Sequence, residues 1–172
     1  MRLLAQYNQA MNRQLYSLAS QLPVEQLTEN KGAFFGSIRN TLNHLLVADI
    51  TWLRRFAKHP AQFAALRALD TFPAPTTLDQ LLFDDFAEQF AQREQLDAII
   101  IAWLNDLTEA DIDTAFAYQN MKGLTFTRKL GDVLLHFFNH QTHHRGQTTT
   151  LLTQCGIDIG VTDLIAMIPE AN

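Results

Sequence analysis

Residues 128–155 read RKLGDVLLHFFNHQTHHRGQTTTLLTQC, and this stretch predicts one long amphipathic helix near the end of the chain. When its residues are placed at 100° intervals, two histidines, His140 and His144, fall on one line. Four apolar residues lie within about 40° of the same line, and they are Val133, Phe137, Leu151 and Cys155. The stripe that is predicted to face the core is therefore apolar at both ends and polar in its middle.

The His140–His144 pair needs a chemical reason, because burying an imidazole without a partner costs about 1–3 kcal/mol. The i, i+4 spacing places both rings on one helix face with Cβ atoms about 5–6 Å apart, which is the geometry with which two histidines bind one metal ion. The alternative is a pair of core histidines with ordinary hydrogen bonds. His136 and His143 flank the stripe, and Gln141 stands where a zinc-protease helix has glutamate, which argues against that mechanism.

A third ligand has to come from another helix, and the helix predicted from Ser37 to His59 is the candidate. Ser37 is a typical N-cap residue, and Pro60 ends the helix. His44 lies about 120° from the centre of the apolar stripe of this helix, so periodicity alone places it at the flank or on the surface. Asp49 lies nearer to that centre, where a carboxylate should be paired. Its two candidate roles are to orient a ligand histidine or to cap a loop backbone.

Four other positions have simpler interpretations. His59, at a helix end, is predicted to be a solvated histidine that the helix dipole favours. Gly146 in mid-helix costs about 1 kcal/mol relative to alanine, which indicates a close helix approach or space for a ligand. Arg145 points away from the stripe and is interpreted as an anion clamp or, preferably, a salt-bridge residue. Cys155 is predicted to be a buried small hydrophobic residue.

The composition limits the functional classes. The chain has 172 residues, of which 47% are hydrophobic and 18% charged, and a formal net charge of −5. This size and apolar content predict one domain over residues 1–172, and an acidic chain without a basic run is not expected to bind nucleic acid. No signal peptide or membrane-spanning run is recognised, and the single cysteine excludes an intrachain disulfide. We expect a cytoplasmic protein that does not bind membranes.

Glycine is absent between Gly36 and Gly123, which favours helix. Four amphipathic helices are predicted, over residues 3–22, 37–59, 77–107 and 128–155, and Thr77 and Gln80 would form the capping box of the third. The linker 60–76 holds three prolines, and residues 108–128 would form a small hairpin or an irregular loop. The expected fold is all-α: a four-helix bundle with a long crossover between helices two and three and a short irregular or hairpin insertion before helix four.

Two segments resemble the DinB-like family of damage-inducible bacterial proteins. The first is FGSIRNTLNHLLVAD at residues 35–49, followed by Trp52-Leu and Phe56. The second is HFFNHQTHHRGQ at residues 136–147, and Tyr7-Asn-Gln near the N-terminus also fits. The resemblance therefore extends over nearly the whole chain.

This resemblance implies a four-helix bundle, often dimeric, with one metal ion held by three histidines. In this chain those residues are His44, His140 and His144, so the resemblance includes His44 although periodicity does not. The metal of the family is commonly nickel or zinc. The wider superfamily includes YfiT-like hydrolases, bacillithiol transferases and a mycothiol-dependent maleylpyruvate isomerase.

The leading hypothesis is a metal-dependent enzyme whose open three-histidine site acts on a small molecule, by hydrolysis or by transfer of a low-molecular-weight thiol. His136, Asp49 and Gln147 are candidates for assisting groups. The alternatives are a non-catalytic metal-binding stress protein and a helical dimerisation module with structural histidines. We expect a homodimer whose partner is a small-molecule substrate.

Overall fold

The computed structural model describes residues 1–170, which are mainly helical and include one small antiparallel sheet. The helices and strands follow in the order α1 Arg2–Ala19, α2 Val24–Thr28, α3 Ile38–Phe56, α4 Phe86–Asp106, α5 Glu109–Ile112, β1 Ala115–Gln119, β2 Thr125–Lys129 and α6 Leu130–Gln154. Two 3-10 segments, Ala64–Thr71 and Leu164–Met167, lie in the linker before α4 and in the tail after α6. Within this range every helix is too short or too polar to traverse a lipid bilayer.

The four long helices pack on one another around two apolar clusters. Helix α1 contacts α4 and α6, while α3 contacts α6 and α4. In the first cluster Phe56 and Trp103 are fully buried between α3, α4, α6 and the sheet. In the second, Tyr16 of α1 packs with Leu42 and Leu152. Burying one such side chain stabilises the fold by about 1.5–3 kcal/mol relative to exposure, so these clusters fix α3 beside α6.

Three of the predicted helices are confirmed to within a few residues at each end. The predicted N-cap of α3 is confirmed, because Ser37 Oγ accepts a hydrogen bond from Asn40 N at 3.1 Å. Helix α6 ends as its sequence predicts, with Gly156 at φ +80°, a left-handed conformation that glycine adopts without strain. Ile157 N then donates to Leu152 O, which satisfies one of the last carbonyls of the helix.

The prediction that His59 is solvated is wrong. Helix α3 ends at Phe56, and His59 lies in the following turn with 4% of its surface exposed. Ala61 N donates to His59 Nδ1, so the ring proton is on Nε2, which donates to Thr114 Oγ1 at 2.9 Å. The ring also stacks on Phe63. This histidine therefore ties the end of α3 to the segment that precedes the sheet.

The predicted start of the third long helix is also wrong. Helix α4 begins at Phe86, where Asp85 caps it by accepting from Ala87 N, and not at the Thr77–Gln80 capping box. Gln80 Oε1 instead accepts hydrogen bonds from the backbone and hydroxyl of Thr76. Residues 73–85 therefore form an irregular segment.

Side chains of α3 explain why residues 73–85 remain irregular. Asn43 Nδ2 donates to Gln80 O, and Asn43 Oδ1 accepts from Leu82 N. Arg39 donates to the carbonyls of Phe83 and Asp84. These contacts with α3 satisfy backbone groups of the segment and so favour the irregular conformation over a further helical turn. We name residues 73–85 the covering segment, since they close one face of α3.

The sequence left two alternatives for the insertion before α6, a hairpin and an irregular loop, and the structure shows the hairpin. Strands β1 and β2 pair antiparallel, with Ala115 opposite Lys129 and Gln119 opposite Thr125. The turn is fixed by Asn120, whose Oδ1 accepts hydrogen bonds from Lys122 N and Leu124 N. Tyr118 of β1 packs edge-on against Trp52 of α3, so the hairpin is anchored beside the middle of the molecule.

Candidate metal centre

Three histidines from two helices converge at one point. His44 lies on α3, and His140 and His144 lie on α6; each offers one ring nitrogen, and these nitrogens lie within 4.8 Å of one another. The Nε2 atoms of His44 and His140 are 3.2 Å apart. The ring centroids of His140 and His144 are separated by 4.4 Å. The structure therefore contains a histidine cluster that could hold a metal ion.

Hydrogen bonds fix the orientation of two of the three rings. His44 Nδ1 lies 2.8 Å from Leu78 O, and His144 Nδ1 lies 2.7 Å from Gln147 Oε1. Because a carbonyl oxygen only accepts, both Nδ1 atoms carry the proton and both Nε2 atoms keep a free lone pair. Metal-bound histidines are held in this way, by a partner on the ring nitrogen that does not bind the ion.

Burial keeps the cluster uncharged. His44 and His144 are 5% and 8% exposed, and their burial lowers the pKa of each imidazole. Burial, followed by repulsion from the rings of His144 and His44, lowers the pKa of His140 to about 3. Since only a neutral imidazole donates a lone pair to a metal, all three rings are in the ligand form at neutral pH.

The prediction from periodicity that His44 lies at the flank or surface of its helix is wrong. Leu78, in the covering segment, lies against the ring and accepts its Nδ1 proton. On the other side, the ring of Phe35 stacks on His44 with centroids 4.0 Å apart. The face of α3 that periodicity assigns to solvent is therefore enclosed by the residues just before the helix and by the covering segment, which is distant in sequence.

The two flanking histidines differ in their surroundings. His136 lies one turn before His140, with ring centroids 6.1 Å apart, and packs edge-on against Trp52 at 5.3 Å. His143 is exposed and lies outside the group of converging ring nitrogens. His136 thus borders the cluster on the side of the hairpin. His143 is a histidine of the same helix outside the cluster, so its substitution is a control for substitutions of the ligand candidates.

The other two candidates for assisting groups also have definite positions. Gln147 contacts the cluster directly, through its hydrogen bond to His144. Asp49 takes neither of the two roles considered from the sequence, since its carboxylate pairs with Arg93 at 2.7 Å in the interior. Burial raises the pKa of Asp49 to about 6, and the Arg93 guanidinium opposes this shift.

Sequence reasoning missed the buried ionic network to which Asp49 belongs. Arg93 also pairs with Asp97 at 2.7 Å, and all three side chains are at most 3% exposed. Asn8 and Asn12 of α1 donate their amides to Asp97. The available signal was the i, i+4 spacing of Arg93 and Asp97 on a helix that also carries apolar residues. Charged pairs with this spacing are ordinarily exposed.

For Arg145 and Gly146 the structure of residues 1–170 excludes one of the two roles considered from the sequence, the salt bridge of Arg145 and the close helix approach at Gly146. Arg145 donates to Asn8 and Thr142 and lies over the ring of Tyr7, and among residues 1–170 it forms no ion pair. Its charge offsets the buried carboxylates, so that two arginines accompany Asp49 and Asp97. Open space surrounds a Cβ built on Gly146, which excludes close helix approach as the reason for this glycine. It lines a small cavity of about 130 Å³ beside α1.

A larger pocket, of about 510 Å³, opens beside the cluster. His44, His140 and His136 form one end of it, and the turn of the hairpin forms its far wall. His144 does not line this pocket and is covered by the edge of Phe35. The pocket therefore gives access to His44 and His140 from one side, between α3, α6 and the hairpin.

The fold and this cluster define a class of mainly helical proteins with a buried three-histidine site. The chain belongs to the DinB family, whose family model matches residues 1–170. It is 25% identical over 173 residues to Protein DinB of Bacillus subtilis (strain 168), covering 93% of this chain and 88% of that protein. No solved structure matched. The resemblance inferred from the sequence is confirmed.

Proposed function

We propose that this chain is a metal-dependent enzyme in which His44, His140 and His144 hold one divalent ion, either nickel or zinc. The observation that carries the proposal is the convergence of three neutral imidazoles within 4.8 Å. The free Nε2 lone pairs of His44 and His144, each set by a hydrogen bond on the opposite nitrogen, fit a metal ion. Imidazole suits both nickel and zinc, so the donor set does not distinguish them.

Three protein ligands leave coordination positions open, as in catalytic sites. When bound, the ion would lower the pKa of a coordinated water or thiol toward neutrality. The chain's own residues do the rest: Gln147 and Leu78 hold the ring orientations, and Phe35 excludes water from one side. The pocket beside His140 admits a small molecule.

Two reaction classes fit this arrangement, hydrolysis of a small molecule and transfer of a low-molecular-weight thiol to an electrophile. Membership of the DinB family supports the second. His136 borders the pocket and is the residue best placed to contact a substrate there. Turnover of a thiol with a panel of electrophiles tests the enzymatic role, and metal binding without any turnover would favour the non-catalytic alternative.

Elemental analysis of purified untagged protein tests the ligand assignment. We expect about one nickel or zinc ion per chain, and we expect the His140→Ala variant to contain no more metal than the buffer. His143→Ala is the matched control, because it removes an exposed histidine of the same helix outside the cluster. Equal metal in His140→Ala and wild type would overturn the assignment.

The role of Gln147 can be tested separately. We expect Gln147→Leu to lower metal affinity by about 10–100-fold, because His144 loses the acceptor that fixes its proton on Nδ1. Competition with a chromophoric chelator measures this change, and Gln147→Glu should preserve affinity because it keeps an acceptor oxygen. An unchanged affinity in Gln147→Leu would show that this hydrogen bond does not orient the ligand.

We also propose that the four long helices form the bundle typical of the family, with residues 57–85 as the crossover, and that the chain acts as a cytoplasmic homodimer. The mutual contacts of α1, α3, α4 and α6 support the bundle. The net charge of −5 supports a small-molecule partner over nucleic acid. No membrane partner is part of the proposal.

A further inference from the structure

The pocket beside the histidines is lined by positive charge, although the protein as a whole is acidic. The chain carries a net charge of −5, yet among residues 1–170 no carboxylate lines this pocket, whereas two cations, Arg55 and Lys122, do. Arg55 projects from the end of α3, and Lys122 lies in the turn of the hairpin. A cavity lined by charges of one sign attracts ligands of the opposite sign.

Arg55 is the more informative of the two cations. It is only partly exposed, and within residues 1–170 it forms no ion pair and no side-chain hydrogen bond. Burial lowers the pKa of its guanidinium. The adjacent Arg54, by contrast, donates to the carbonyls of Leu69 and Phe72 and holds the 3-10 segment. A partly buried guanidinium whose donors have no acceptor is suited to a carboxylate or phosphate.

The pocket connects Arg55 to the histidines. Arg55 lies about three turns after His44 on α3, a rise of about 16 Å along the axis, and its side chain leans back toward the helix N-terminus. The guanidinium lies 4.5 Å from the ring centre of Trp52, and that ring in turn packs on His136. The wall between the two ends is therefore aromatic and apolar, and Leu124 of the hairpin adds to it.

We propose that this site selects a substrate with an anionic group at one end, a carboxylate or phosphate bound by Arg55, joined by an apolar chain to the group that reacts at the histidines. Only one part of the inference rests on the proposed function, namely that the other end of the substrate reacts at the histidines. Recognition of the anion depends on Arg55, which is not a metal-ligand candidate. Arg55 is thus a specificity-determining residue, and Lys122 contributes long-range attraction.

Calorimetric titration with three thiols of equal chain length tests the proposal: mercaptohexanoate, mercaptohexanol and mercaptohexyl phosphate. We expect wild-type protein to bind one of the anionic probes about tenfold or more tightly than the alcohol, since hydrogen bonds to a charged group are stronger. Comparison of mercaptohexanoate with mercaptohexyl phosphate shows whether the site prefers a carboxylate or a phosphate. In Arg55→Gln the preference for the anion should disappear, while weak binding of the alcohol should remain.

Lys58→Gln is the matched control, because Lys58 does not line this pocket but lines a neighbouring one that Arg55 also borders, so the variant removes one nearby positive charge outside the proposed site. It should retain the preference. The same titrations with metal-free protein separate this inference from the proposed function, since the anion preference should persist there although all three thiols bind more weakly. Equal binding of alcohol and anions, no saturable binding of either anion, or a preference retained in Arg55→Gln would overturn the proposal.

Discussion

Replacing Arg93 by methionine is expected to lower the free energy of unfolding by about 3–5 kcal/mol, because it leaves two buried carboxylates without their ion-pair partner. Arg93 donates to Asp49 at 2.7 Å and to Asp97 at 2.7 and 3.1 Å, and it is 1% exposed. The neighbouring Asn12 can satisfy part of Asp97 but brings no charge. Urea denaturation at neutral pH measures the loss.

The matched control is Arg13→Met, which removes an arginine whose ion pair with Glu94 is exposed. Such pairs contribute about 0–1 kcal/mol. The triple variant Arg93→Met, Asp49→Asn, Asp97→Asn should recover part of the stability, because no buried carboxylate is then left without an ion-pair partner; the recovery is partial because Arg145 stays as a buried cation. A loss in Arg93→Met no larger than that in Arg13→Met would contradict the role of the network.

The loss of unfolding free energy in Arg93→Met should also depend on pH. Burial already raises the pKa of Asp49 and Asp97 above their ordinary values, and removal of the guanidinium raises both further. A carboxyl with a raised pKa binds more protons in the folded than in the unfolded state, so folding is favoured as pH falls toward the unfolded pKa. The difference from wild type should therefore be smaller at pH 5 than at pH 8.

Loading the protein with nickel or zinc is expected to raise the free energy of unfolding by about 4 kcal/mol at a free metal concentration about 1,000 times the dissociation constant. The physical reason is that the three histidines converge only in the folded chain, with His44 and His140 distant in sequence but 3.2 Å apart at Nε2. Denaturation with and without metal measures the gain, and a chelator should reverse it.

His44→Ala should abolish this stabilisation, while His143→Ala should keep it, since His143 lies outside the cluster. Both variants lose one histidine, so weak binding of metal to the unfolded chain is reduced equally. If metal stabilised His44→Ala as much as wild type, the binding site would lie elsewhere. Together with elemental analysis, this comparison separates a folded three-ligand site from incidental binding by surface histidines.

Much of the fold follows from local patterns. The apolar repeat of α6 predicts both its length and the common face of His140 and His144, and the N-cap Ser37 predicts the start of α3. The hairpin was one of two alternatives, because a short stretch between turn residues does not reveal whether a second strand pairs with it. The prediction of where α4 starts was wrong for a related reason. Side chains of α3, distant in sequence, form hydrogen bonds with the backbone of residues 73–85.

The sequence by itself determined the histidine pair, because the helix repeat fixes which residues share a face whatever packs against it. The family resemblance named His44 as the third histidine, but only the tertiary structure decided that it is buried in the cluster, through contacts with Phe35 and the covering segment. The same holds for the Arg93 network, whose i, i+4 spacing is also typical of an exposed pair. Burial results from contacts between segments far apart in the chain, and helix periodicity describes only the segment itself.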